Sequence, residues 1–203
     1  MRYTFRHQGD MGFLRIRPFV ALSLCLILGA ASCSRFGERT KDVIDAISIQ
    51  NLSNGRKLLE NEDQGVQLTV SEGWNNVQEL RPDADLYVAH EEREMYVLVL
   101  ADARRSEVGN FDLADNSATY RRTLAGELSQ VQPQAVTGVT SVNGLDAVQY
   151  EVRGRVDNVP IVYLHTTVEG EVNYYQVVAW TTAEDYSAAR PDLQAVIESF
   201  RGI

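Results

Sequence analysis

The stretch NGLDAVQYEVRGRVDNVPIVYLHTTVEGEVNYYQVVAWTT, residues 143–182, decides the fold. Asn143-Gly144 is a strong hairpin signal, because both residues take positive φ at little cost. Leu145 to Val156 then reads as a strand, and Asp157-Asn158 turns it. Ile161 to Val168 pairs back, Glu169-Gly170 turns again, and Val172 to Thr181 closes the meander. Strands joined by turns this short must be antiparallel. Val136 to Val142 leads into the first turn as a further strand.

Upstream, Val66, Leu68 and Val70 alternate with polar residues, the mark of a half-buried strand. Ser71-Glu72-Gly73-Trp74 follows as a turn, with Gly73 free to take positive φ. Leu86–Ala89 and Met95–Leu100 form a hairpin whose polar tip runs from His90 to Glu94. Asp112 is placed as a helix N-cap, with Asp115 in the first turn favourable to the dipole. Leu113, Ser117, Tyr120, Leu124, Leu128 and Val131 recur at helical spacing, and Pro133 stops the helix. A last helix carries Tyr186, Ala189, Leu193, Val196, Ile197 and Phe200 on one face, with Pro191 expected at its first turn. The class is α+β: a mainly antiparallel sheet covered by helices.

The chain has 203 residues and a net charge of −9. Arg2, Arg6, Arg15 and Arg17 against Asp10 give residues 1–32 a net +3, so the remainder carries −12. A surface so acidic lacks the Lys/Arg cluster that nucleic acid requires, and it does not adsorb to anionic lipid. The first residues suggest how such a chain reaches a membrane. Arg15 and Arg17 precede an apolar run from Pro18 to Ala31, about 14 residues long. That is too short to span a bilayer and fits an export signal. Ala30, Ala31 and Ser32 lead into Cys33 and resemble a bacterial lipobox, although Ala30 stands where leucine is commoner. The expectation is cleavage before Cys33 and lipid on its thiol. The alternative is an ordinary secretory cut near Ala31 that leaves Cys33 a free thiol. Cys25 lies within the signal, so the mature chain keeps one cysteine and no disulfide. The division expected is a signal peptide (1–32), a lipidated N-terminus and tether (33–64) and the domain (65–203). Within the tether, Thr40–Ile49 reads as a short helix and Arg56–Glu60 as a turn.

Across residues 65–203 the chain resembles the PsbP-like and DcrB-like bacterial lipoproteins. Ser71-Glu72-Gly73-Trp74 is similar to their P-x-G-W turn, with serine in place of proline. Asn143-Gly144 before Ala147 is similar to their G-x-x-A pattern. Asn173-Tyr174-Tyr175 and a terminal helix closing on Ser199-Phe200 complete the order. The resemblance implies an α/β/α sandwich and a non-enzymatic domain tethered at the periplasmic face or in the thylakoid lumen. In the PsbP branch such domains serve photosystem II, so its subunits are the implied partners. The DcrB branch belongs to the envelope of non-photosynthetic bacteria.

No catalytic constellation stands out. His90-Glu91-Glu92-Arg93-Glu94 begins like H-E-x-x-H but ends on glutamate and sits at a hairpin tip. Glu91, Glu92 and Glu94 with Asp83 and Asp85 supply oxygens, yet no glycine-bearing calcium loop surrounds them. His165 lies on the strand face opposite Leu164. There is no G-x-S-x-G elbow and no phosphate-binding glycine loop. No metal, cofactor or catalytic residue is therefore expected. Trp74, Tyr174, Tyr175 and Trp180 are the candidate interaction or pocket residues. As neighbours on a strand, Tyr174 and Tyr175 point to opposite faces, one toward the core and one toward solvent or a partner. Two functions follow: an accessory domain that binds another protein through its sheet rim or loops, or a carrier with a small apolar ligand between sheet and helix.

Overall fold

The computed structural model describes residues 47–104 and 112–202. The expected signal peptide, Cys33 and the first part of the tether lie outside them. In chain order the strands begin with β1 (Ile47–Asn51), β2 (Lys57–Asn61), β3 (Val66–Val70), β4 (Asn75–Asn76), β5 (Leu86–His90) and β6 (Met95–Ala103). Helix α1 (Leu113–Gly126) follows. After it come β7 (Ala135–Val136), β8 (Ser141–Val142), β9 (Leu145–Val156), β10 (Val159–Glu169) and β11 (Asn173–Thr182). Helix α2 (Tyr186–Glu198) and β12 (Arg201–Gly202) close the domain. The large sheet runs β4-β5-β6-β11-β10-β9-β7, with β8 also on β9, and a small sheet runs β1-β2-β3-β12. Every strand pair is antiparallel.

Side-chain parity divides the large sheet into two cores. Val88, Val97, Val99, Val162, Leu164, Val177 and Ala179 face α2 and the small sheet, where Leu59, Leu68, Leu193, Ile197 and Phe200 meet them. Tyr87, Leu98, Val152, Tyr163, Val178 and Trp180 face α1 and pack with Leu124 and Leu128. The sheet is thus covered on both sides, giving the expected α/β/α sandwich.

The turns hold as read. Asn143 and Gly144 take φ of 51° and 85°, and Asp157 and Asn158 take 46° and 68°. Gly73 sits at φ +88°, and a Cβ there would lie 2.3 Å from His90 Nε2. The Trp74 amide donates to the Ser71 carbonyl at 3.4 Å across the turn. The Asp112 side chain accepts from the Asp115 amide and caps α1.

Four local readings are corrected. Ile47–Asn51 and Lys57–Asn61 are paired strands where the end of a helix and a turn were expected: β2 aligns Leu59 with Leu68 of β3, and that hairpin pairing overrides local propensity. Helix α1 stops at Gly126 rather than before Pro133; Leu128 still reaches the core, while Val131 is exposed. Glycine weakens a helix interior by about 1 kcal/mol, and the Ser129–Arg155 bridge captures the chain beyond it. The stretch 136–142 is two short strands broken at Gly138, φ +86°. Helix α2 begins at Tyr186 and keeps Pro191 inside, where Ser187 and Pro191 are both exposed and water can satisfy the freed carbonyl.

Leu59 is 1% exposed and bridges the two sheets. Leu59→Ala is expected to cost about 3 kcal/mol in urea unfolding followed by tryptophan fluorescence. A leucine in a solvated tether would cost nothing, so an unchanged midpoint would contradict β2.

Candidate functional site

The four aromatic residues singled out from sequence do not converge. Trp74 is buried on the α2 side, edge-on to His90 at 6.1 Å, and its carbonyl accepts from Lys57 Nζ at 2.9 Å. Tyr175 shares that side and packs on Phe200 at 5.1 Å. Gly170 and Gly202 make room for it, since a Cβ on either would meet its ring at 2.6 or 2.5 Å. Trp180 lies on the α1 side, stacked at 5.7 Å from Tyr87 and 5.3 Å from Tyr96. Tyr174 shares Trp180's side but stands six residues away, about 20 Å along the strand. The Arg104 guanidinium lies 5.1 Å over the Tyr174 ring. Neither Tyr174 nor Tyr175 faces solvent; they are 3% and 2% exposed, because both faces of the sheet are covered.

The acidic candidates are engaged individually. Asp83 receives Arg81 at 2.9 and 2.8 Å, which holds its carboxyl below the usual range even though burial opposes that. Asp85 Oδ2 accepts from the Ala101 amide at 2.5 Å. Glu91 and Glu92 lie in a short turn at the hairpin tip, and Glu94 follows them in the left-handed region. Among the described residues no three His, Cys, Asp or Glu converge as metal ligands.

A polar cluster that the sequence did not reveal lies under α1. His165 is fully buried, and its Nε2 is 2.9 Å from Gln176 Oε1. Gln176 Oε1 only accepts, so the imidazole proton is on Nε2 and Nδ1 keeps a bare lone pair. Thr167 Oγ1 donates to the same oxygen at 2.8 Å, and Gln176 Nε2 donates to Asn116 Oδ1 of α1 at 2.7 Å. Tyr120 stacks on His165 at 5.1 Å. Burial pushes the His165 pKa down to about 4; the Gln176 hydrogen bond opposes this and the charge of Arg121 adds to it. Burial also raises the Tyr120 and Tyr163 hydroxyls well above their ordinary value. Among the described residues Ser117 Oγ, Tyr120 Oη, Arg121 Nε, Tyr163 Oη and His165 Nδ1 have no hydrogen-bond partner. The sequence did place His165 opposite Leu164. Its hydrogen-bond partner Gln176 and its stacking partner Tyr120 stand 11 and 45 residues away, beyond local periodicity. The one local signal is the polar trio Asn116, Ser117 and Tyr120 on the inner face of α1.

The α2 side holds a second network. Glu151 accepts from the Tyr186 hydroxyl at 2.6 Å and from Arg153 Nε at 2.7 Å. Burial opposes its ionisation, but these bonds and the charges of Arg153 and Arg190 win and hold its carboxyl below the ordinary range. Gln149 Nε2 donates to Thr166 at 2.9 Å and to Gln194 at 3.1 Å. This network pins α2 to β9 and shows no nucleophile–base pair.

The architecture is that of a PsbP-like fold. It superposes on the solution structure of cyanobacterial PsbP (CyanoP) from Synechocystis with a TM-score of 0.52 at 13% identity, over 87% of this chain and 99% of that one. A Pseudomonas aeruginosa protein of unknown function, PA94, described as a putative regulator, gives 0.42 at 13% identity, over 75% of this chain and 94% of that one. LpqN of Mycobacterium tuberculosis, described as involved in cell envelope biogenesis, gives 0.36 at 13% identity, over 76% and 81%. At the level of sequence, no family model and no curated protein matches. Among the described residues no helix is long and apolar enough to cross a membrane.

The buried histidine has a pH signature. Its folded pKa of about 4 lies below the unfolded value of 6.5, so the unfolded chain binds more protons between these limits. Its contribution is complete above pH 6.5 and is lost as pH falls toward 4, about 3 kcal/mol in all. His165→Gln is expected to flatten the slope of stability against pH in that window. Urea midpoints measured from pH 8 to pH 4 check it; parallel slopes in the two proteins would refute the assignment.

Proposed function

We propose that this chain is a non-enzymatic accessory domain, held at an extracytoplasmic membrane face by lipid on Cys33, that binds a protein partner along the open edge of β1. The carrying observation is that edge. Strand β1 pairs with β2 on one side and, among the described residues, has no strand on the other. Its sequence, Ile-Ser-Ile-Gln-Asn, bears no charge or proline to guard it. Ile49 and the following Leu52 are 49% and 40% exposed. An unguarded edge accepts an extended segment by main-chain hydrogen bonding, with alternate side chains giving specificity. With both faces of the large sheet covered, the rims and turns remain for contact.

The lipid supplies position. Cys33 precedes Ile47 by 14 residues, which reach at most about 50 Å, so the edge works close to the bilayer at high effective concentration. The fold shared with CyanoP supports photosystem II as the particular setting. An envelope partner is the alternative setting in a non-photosynthetic host. The apolar-ligand carrier is not favoured, because the helix–sheet seam under α1 presents polar atoms.

The test is a photo-crosslinking residue at position 49 of the full chain in its native membrane, with mass spectrometry of the Cys33 peptide. The expected result is a diacylated Cys33 and a discrete cross-linked protein, lost in a Leu52→Lys background and absent when the probe sits at Glu79. Photosystem II subunits in the adduct would mark the photosynthetic role. An unmodified Cys33, or equal adducts from both positions, would overturn the reading.

A further inference from the structure

Resting on the edge reading above, we propose that the strand completing β1 is β1 of a second copy of this chain, added antiparallel about a twofold axis through Ile49. The hairpin shows which main-chain groups are on offer. The Leu52 amide donates to the Arg56 carbonyl at 2.8 Å, so these two form a hydrogen-bonded pair of the β1–β2 ladder. Hydrogen-bonded and non-hydrogen-bonded pairs alternate along an antiparallel ladder. Asn51 stands opposite Lys57, Gln50 opposite Leu58 and Ile49 opposite Leu59. The alternation therefore turns the main-chain groups of Gln50 and Ser48 toward β2, and those of Asn51, Ile49 and Ile47 outward. Among the described residues no strand takes the outward set.

A second copy matches that set without remainder. Pairing centred on Ile49 puts this residue opposite its own counterpart, and Ile47 opposite Asn51. Every outward N–H and C=O of the strand then has a partner. Moving the axis to Ser48 or Gln50 leaves Asn51 or Ile47 outside the overlap, and moving it between residues sets outward groups against inward ones. The side chains agree with this register. Ile49 is beside Leu59 and Leu59 beside Leu68, so the three form one row on the face turned to the large sheet. Leu68 and Leu59 are buried, while Ile49, at the end of the row, is half-exposed. The counterpart of Ile49 carries the row on into the second copy, and facing aliphatic side chains stabilise a strand pair.

Charge admits this partner. The chain beyond residue 32 carries −12, so two copies repel wherever acidic surfaces meet. Ile47 to Asn51 hold no charge, and the pairs formed are Ile–Ile, Ile–Asn and Ser–Gln. Two such short edges make a contact well below the roughly 1,600 Å² of a standard interface, so the pair needs confinement. Lipid on Cys33 supplies it. The two Ile47 residues lie about 13 Å apart along the pair, and both tethers can enter one bilayer.

The experiment produces two differently tagged full-length copies together in the native membrane, one Ser48→Cys and one Gln50→Cys, and oxidises them. In the proposed register these positions face each other with Cα atoms about 4.5 Å apart, within disulfide range, whereas like positions stand diagonally at about 7–8 Å. The expected result is a mixed disulfide dimer roughly tenfold more abundant than the dimer from either variant alone. The single variants also carry Cys33, so a disulfide through that residue would appear in them equally. Ile49→Lys in both copies is expected to reduce the mixed dimer roughly tenfold, and Ile49→Lys in one copy with Ile49→Glu in the other to restore it. A chain that had merely misfolded would not be rescued in this way. A mixed dimer no more abundant than the like dimers, or one indifferent to Ile49→Lys in both copies, would overturn the proposal. A different protein captured by the photo-probe at position 49 would overturn it too, while leaving the edge reading standing; capture of nothing there would remove both.

Discussion

Cover on both faces of β10 and β11 is the constraint on which the rest of the structure depends. The two strands run side by side through the middle of the large sheet, and nearly every residue from Ile161 to Val168 and from Tyr174 to Thr181 is buried. A strand in that position has no solvent face on which to put polar residues. His165, Thr166, Thr167 and Gln176 must therefore find partners inside the protein, and most of their side-chain groups do so with α1 or with strands beside them. The double cover also explains why Tyr174 and Tyr175 are both enclosed.

The two helices meet this constraint differently. Helix α2 buries Tyr186, Ala189, Leu193, Val196 and Ile197, an apolar stripe that needs no particular register to be favourable. Helix α1 buries Asn116, Ser117 and Leu124. Its attachment combines the packing of Leu124 with the Gln176–Asn116 hydrogen bond and the stacking of Tyr120 on His165. The last two fix orientation closely but contribute less than apolar burial, about 1 kcal/mol for each neutral bond. Helix α1 is accordingly the less apolar of the two helices in its anchoring.

What could be read from the sequence follows the same division between local and distant causes. Turns were legible because their cause is local: Asn143-Gly144, Asp157-Asn158 and Gly73 each supply a backbone conformation that other residues resist. The cap at Asp112 was legible for the same reason, being a bond across three residues. The sandwich could be inferred from the order of strands and helices. Strands β1 and β2 were not legible, since Lys57-Leu-Leu-Glu-Asn61 is ambiguous alone and becomes a strand by pairing with β3. The polar seam was hidden for a related reason. His165 and Gln176 are neighbours on adjacent strands only through the register of β10 on β11, and Asn116 arrives by the crossover of α1.

That hidden register also bears on function. The residues most conspicuous in the sequence, its tryptophans and paired tyrosines, belong to two separate cores and serve packing. The unusual chemistry belongs to residues with no motif around them: an unguarded strand edge at β1 and unpaired donors beneath α1. The two lie on different parts of the architecture, the edge on the small sheet beside α2 and the seam on the opposite face of the large sheet. A change at the seam can reach the edge only through the large sheet between them, whose closely packed core transmits displacement rather than absorbing it. A change at α1 would influence the edge of β1 only by favouring one of two arrangements of that sheet, since coupling between distant places requires such a difference. Physical coupling between α1 and the edge of β1 would have to pass through β10 and β11.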